Sequence, residues 1–168
     1  MLNLEKKLLI DIYKKILDQS NKRFFFDKIK LSETFSSKIE IFQLNLIFVL
    51  FFFEKNKINK KFSKNLINYF LDDMESAIRE IGVSETSIGR KKRIIAENFY
   101  GRLYSYTEIF KKKKLDKDFI KKKLKKNFKL TEINYDFLLK YISLNVNLFS
   151  RLNKISFTDL RFDYVDLE

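Results

Sequence analysis

The stretch TFSSKIEIFQLNLIFVLFFFEK, residues 34 to 55, decides the fold. Hydroxyl residues at its start, between Thr34 and Ser37, can cap the free amides of a helix's first turn. Phe35, Ile39, Phe42, Leu46, Val49 and Phe53 then follow at alternating steps of three and four, which puts all six side chains on one helical face. From Leu46 to Phe53 every residue is apolar, extended backwards only through Gln43 and Asn45. That run falls short of the ~20 apolar residues a membrane span requires. A helix apolar all round belongs at the centre of a bundle.

Working outward, Leu4, Leu8, Ile12 and Ile16 give an amphipathic first helix from about Asn3 to Asn21, followed by an aromatic turn at Phe24, Phe25 and Phe26. After the apolar helix, a third is expected from Lys60 to Ile81, with Phe62, Leu66, Phe70, Met74, Ala77 and Ile81 inward. Gly82 sits where a helix commonly closes in a left-handed conformation. A fourth helix ends near Phe110, with Ile88, Ile95, Phe99, Leu103, Tyr106 and Phe110 inward. Lys111 to Lys114 reads as a loop, and Leu115, Phe119, Ile120, Leu124 and Phe128 form a narrow apolar edge on a short lysine-rich helix. The sixth helix, from about Thr131 to Leu152, points Phe137, Tyr141, Leu144, Leu148 and Leu152 inward. Proline is absent and only Gly82, Gly89 and Gly101 supply glycine, so the chain lacks the turn residues of sandwiches and barrels. The expectation is an all-α single-domain bundle of about six helices around a central, fully apolar helix. It divides into a helical domain over 1–154 and an acidic C-terminal tail over 155–168, where Asp159, Asp163, Asp166 and Glu168 face one Arg161.

Cysteine and histidine are both absent, which removes disulfides, thiolate and imidazole metal sites, a cysteine nucleophile and the Ser-His-Asp arrangement. No metal, cofactor or small-molecule substrate is expected. The net charge of +13 calls for an anionic partner such as RNA, a ribosome surface or anionic lipid, or it serves solubility. The N-terminus lacks a signal-peptide pattern, and Glu5, Asp11 and Asp18 argue against a transit peptide.

Three features invite a functional reading. Asp72, Ser76 and Arg79 share a stripe of the third helix with Asp73 and Glu80 beside it, ahead of the basic Arg90, Lys91, Lys92 and Arg93. Glu75 can pair with Arg79 as ordinary helix support, or the carboxylates can face the next helix's basic start and orient the two helices around a groove. Basic residues in a first turn oppose the helix macrodipole, so carboxylates or an anionic partner should compensate. Gly101 lies mid-helix, in line with Ile94 and Tyr104 and away from the main apolar face. Such a glycine suits close approach by a neighbouring helix of the domain or by a partner. The lysine-rich helix over 115–128 suits anionic lipid or RNA phosphate, or is a solvated face. The aromatic residues do not interleave with the basic runs, so base stacking gains little support.

From Asp72-Asp73-Met74 through Arg79-Glu80, Gly82-Val83 and Gly89 to Phe99-Tyr100-Gly101-Arg102, the chain resembles the core of the ubiquinol-cytochrome c chaperone family in order and spacing. Weaker similarity runs upstream through Ile12-Tyr13, Arg23 to Phe26 and the apolar helix. The resemblance implies a non-enzymatic assembly factor of the cytochrome bc1 complex that holds newly made cytochrome b. It also implies the ribosome exit region or an anionic membrane surface as a neighbour and a small partner subunit. Without a transit peptide the bacterial branch fits, with a cytoplasmic protein peripheral to the inner face of the plasma membrane. The groove between the third and fourth helices, edged by Asp72, Asp73, Arg79, Glu80, Tyr100, Gly101 and Arg102, is the expected client or partner site. Arg90, Lys91, Lys92, Arg93, Lys121, Lys122 and Lys125 are expected to meet an anionic surface. Many relatives carry a histidine where this chain has Asn45, so no haem-ligand or titrating role transfers there. The competing class is a basic ribosome- or RNA-binding module without a cytochrome b client. An enzyme using Asp72, Asp73 or Glu80 as acid or base stands further off, with no nucleophile or phosphate loop beside them.

Overall fold

A computed structural model describes residues 2–128 and 132–167. Among them the chain forms α1 (Leu2–Ser20), α2 (Phe24–Asp27), α3 (Phe35–Lys55), α4 (Lys60–Glu80), α5 (Glu85–Phe110), α6 (Lys117–Phe128), α7 (Tyr135–Arg151) and α8 (Lys154–Thr158). The six long helices are those expected from sequence, and the all-α single-domain reading holds. The aromatic turn is instead the single-turn α2, and the expected third and fourth helices are α4 and α5. The start proposed at Thr131 lies outside the described residues.

Local chemistry sets the boundaries. Thr34 Oγ1 accepts the Ser37 amide at 3.3 Å, and Asn59, Asn134 and Asn153 cap α4, α7 and α8 through side-chain oxygens. Gly82 closes α4 with φ of +82°; its amide bonds back to Arg79 O and that of Val83 to Ile78 O, the paired bonds of a Schellman motif.

Every residue of α3 from Ile41 to Phe53 is buried. The helix packs against α1, α5, α6 and α7, while α4 lies on α1 and α5. Phe42 stacks on Phe70 at 5.3 Å, joining α3 to α4. Although its longest apolar run is short, α3 as a whole is the one described helix long and apolar enough to cross a membrane, but 72% of its most apolar window is buried inside the bundle. Burial identifies it as the core helix. Of its two buried polar interruptions, Asn45 is satisfied: Asn45 Nδ2 donates to Ser20 Oγ at 3.0 Å, Tyr141 Oη donates to Asn45 Oδ1 at 2.7 Å, and Tyr164 Oη donates to Asn45 O at 3.0 Å, whereas Gln43 Oε1 has no hydrogen-bond partner among the described residues.

Two faces differ from expectation. On α4 the inward residue of the last turn is Ile78, not Ile81, which is exposed because α4 ends there. On α7 the inner face is Leu138, Tyr141, Ile142, Asn145, Val146 and Phe149, and Leu144 points out. The α7 stripes overlap, and the true one carries Asn145. That residue is buried because its side chain exchanges hydrogen bonds with the Val165 backbone, accepting from the amide at 2.9 Å.

The acidic C-terminal segment is built into the core. Phe157, Phe162, Tyr164 and Leu167 are buried, with Phe157 stacked on Phe52 at 3.9 Å and on Phe162 at 4.1 Å. Its reversed charge meets α1 and the turn that follows it: Lys15 pairs with Asp163 at 2.8 Å, and Asp166 takes Lys22 and Gln19.

Candidate functional site

The α4–α5 hairpin is latched at one end by charge and open at the other. Near the connecting turn, Lys92 Nζ reaches Asp72 at 2.9 Å and Glu75 at 2.7 Å, while Arg79 binds Glu75 at 3.0 Å and also Glu85. Hydrogen bonds from Lys92, then Arg79, hold the Glu75 carboxyl below the usual carboxylate range. The carboxylates of α4 thus meet α5 through Lys92 alone of the basic run, and that run is not the helix's first turn, because α5 already begins at Glu85; Glu75 also makes the simple pair with Arg79. Glu80 is exposed at the end of α4, and Arg90 and Lys91 are exposed on α5. Arg93 pairs loosely with Glu97 at 3.7 Å.

Two of the expected site residues serve as internal ties. Asp73 accepts the Tyr13 hydroxyl at 2.6 Å, joining α4 to α1; burial first, and then this carboxylate, push the Tyr13 hydroxyl pKa up. Arg102 binds Glu40 of α3 through two nitrogens, at 2.8 and 2.5 Å, with both side chains mostly buried. Burial raises the Glu40 carboxyl pKa while Arg102 pulls it down.

At the open end lies a groove of about 660 Å³. Leu50 and Phe53 of α3, Ile58 of the connecting turn, Ile67 of α4 and Leu103 of α5 make it apolar. Lys57, Lys60 and Lys64 stand among its lining residues against Glu54, so its charged margin is mainly basic. Tyr100, 48% exposed, lines one wall. Beside it Gly101 is exposed, and Tyr104, 72% exposed, and Ile94 continue an apolar line along α5. A Cβ built on Gly101 meets nothing within 4 Å. Among the described residues the glycine therefore serves no close contact, contrary to the intrachain packing explanation.

Of the expected site residues, the structure brings Tyr100 to the groove, leaves Gly101 exposed beside it on the neighbouring face of α5, holds Asp72 and Arg79 in the polar latch, and uses Asp73 and Arg102 inside the fold. The spacing of Ile94, Gly101 and Tyr104 did signal the outward line. The groove floor was missed because it joins residues of three helices and a turn, and helical periodicity cannot place the turn. On α6, Lys121 pairs with Asp136 at 2.9 Å and Lys125 lies over the Tyr135 ring at 5.7 Å, whereas Lys122 is exposed. Among the described residues no group of three or more acidic side chains gathers to hold a metal ion.

The chain is a small all-helical bundle with an apolar groove bounded by α3, α4 and α5. A model of the ubiquinol-cytochrome C chaperone family matches residues 27–163, and the chain belongs to that family. The crystal structure of the Cbp3 homolog from Brucella abortus is similar at a TM-score of 0.83 and 16% identity, over 98% of this chain and 92% of that one, and so shares the fold. No curated protein matches the chain in sequence.

Proposed function

We propose that this chain is an assembly chaperone of the cytochrome bc1 complex that holds an apolar segment of newly made cytochrome b in the α4–α5 groove. The observation that carries the site is Gly101. A glycine within a helix costs roughly 0.5–1 kcal/mol relative to alanine. Here nothing among the described residues uses the space it leaves. It lies beside an apolar groove and two exposed tyrosines, where bare backbone admits the close approach of another chain. Family membership supports the bc1 complex as the destination, and a hydrophobic membrane subunit is the kind of client such a groove suits. Tyr100 and Tyr104 supply amphipathic contact area of the sort enriched at interfaces. Asp72, Arg79 and Lys92 hold the two helices at a fixed spacing, and Arg102 anchors α5 to the core. Arg90 and Lys91 remain available to an anionic neighbour such as the ribosome exit region. The protein works at the inner face of the plasma membrane, where cytochrome b emerges, and performs no chemistry.

Deleting the gene tests this reading. Cytochrome b haem absorbance and ubiquinol-cytochrome c reductase activity should both fall, and normal values for both would overturn it.

A further inference from the structure

The lysine-rich helix does not offer its apolar edge to any surface, because Ile120, Leu124 and Phe128 are buried in the core. What α6 leaves outside is different. Phe119 is 42% exposed and lies on one side of the helix with Lys122 and Lys126. Lys123 Nζ stands 5.3 Å from the Phe119 ring centroid. Lys121 and Lys125 are turned to Asp136 and Tyr135, but no ion pair holds Lys122 or Lys126 among the described residues. Lys112, Lys113, Lys114 and Lys117, also without ion pairs, line an adjoining depression of about 810 Å³ together with Asp116 and Asp118. Between residues 111 and 128, ten lysines outweigh those two aspartates.

We propose that the outward face of α6 docks on an anionic lipid bilayer, with Phe119 entering the headgroup layer and Lys122, Lys123 and Lys126 meeting lipid phosphates. An aromatic ring left in water among free cations matches an interface that is anionic at its surface and apolar beneath. The same charges would attract RNA, but nucleic-acid strands are held on successive stacking rings, and the other aromatic of α6, Phe128, is buried. Charge and a single exposed ring therefore favour lipid. The proposal deepens the peripheral location given above and rests on it. Because vesicles contain no client, its failure leaves the groove untouched.

The test is co-sedimentation of the full chain with vesicles of phosphatidylcholine and phosphatidylglycerol in equal parts, against vesicles of phosphatidylcholine alone. The chain should bind the mixed vesicles and not the neutral ones. Each lysine near an anionic surface is worth about fivefold in partitioning, so Lys122→Glu with Lys126→Glu should lower binding about 25-fold or more. Phe119→Ser should lower it about fivefold with its salt dependence kept, as expected for losing an apolar contact. All three side chains are outside the core, and an unchanged circular dichroism spectrum would verify folding. Lys6→Glu with Lys7→Glu on α1 is the control for net charge and should change binding less than about twofold. Failure to bind mixed vesicles, equal loss in the α1 control, or α6 variants that bind like the parent would overturn the proposal. Preference for an RNA oligonucleotide over mixed vesicles, lost in the α6 lysine variant, would assign the surface to nucleic acid instead.

Discussion

Replacing Gly101 with alanine should make the isolated chain more stable and replacing it with leucine should make it a poorer chaperone. The position is inside α5, is solvent-exposed, and has no neighbour within 4 Å of a built Cβ. No clash opposes the substitution, so the intrinsic helix preference of alanine should appear as a gain of about 0.5–1 kcal/mol. For a domain of this size that is a rise in melting temperature of roughly 1–4 °C. Leucine should also be tolerated in the free chain, but its side chain would stand where a partner's backbone has to come close. Forcing extra methylenes into a packed contact costs about 1–3 kcal/mol, which is roughly fivefold to 150-fold in client capture. Thermal denaturation of the purified variants and cytochrome b co-purification from solubilised membranes measure the two effects. A lower melting temperature for the alanine variant would mean that the glycine serves the fold after all. A stable leucine variant with undiminished client capture would place the close approach elsewhere.

Three further outcomes follow from the polar ties that hold the helices together. Arg102→Met leaves Glu40 as a mostly buried, unpaired carboxylate and should cost roughly 3–5 kcal/mol at neutral pH in urea unfolding. Since burial already raises the Glu40 pKa, protonation should recover part of that loss in acid; a loss that does not shrink there would contradict the assignment. Glu75, whose pKa is depressed in the folded chain, contributes stability above its unfolded pKa and loses it as the pH falls through the lower folded value. Glu75→Gln should therefore be less stable than the parent at neutral pH and indistinguishable from it in strong acid, as measured by urea midpoints across the pH range. Asn45→Leu leaves Tyr141, Ser20 and their neighbours short of buried partners and should cost about 1–3 kcal/mol per orphaned group, whereas a neutral result would show the network to be dispensable.

The sequence made the central helix legible because α3 is apolar on all faces from Leu46 to Phe53, and such a helix belongs at the centre of a bundle. Gly82 was legible for an equally local reason, since a left-handed closure favours glycine. The face of α7 was not, because Asn145 is polar by type and buried only through its pairing with Val165, twenty residues away. The core role of residues 157–167 was hidden in the same way: their acidic charges suggested a tail, while their aromatic rings close the bundle over α3 and α1. Arg102 stood in the motif that pointed to the site, yet its partner Glu40 lies on another helix, and no spacing rule joins them. Gly101 shows the opposite case. Its sequence position suggested a close approach by a neighbour, and among the described residues nothing outside its own helix comes within 4 Å of a Cβ built there.

The groove's role is tested most directly by introducing a photo-crosslinking side chain at Tyr104, Tyr100 or, as control, Lys14 on the exposed side of α1, in cells making the bc1 complex. Cytochrome b should be captured from positions 104 and 100 and not from 14. Capture from none of them, or equally from all three, would contradict a client held along α5.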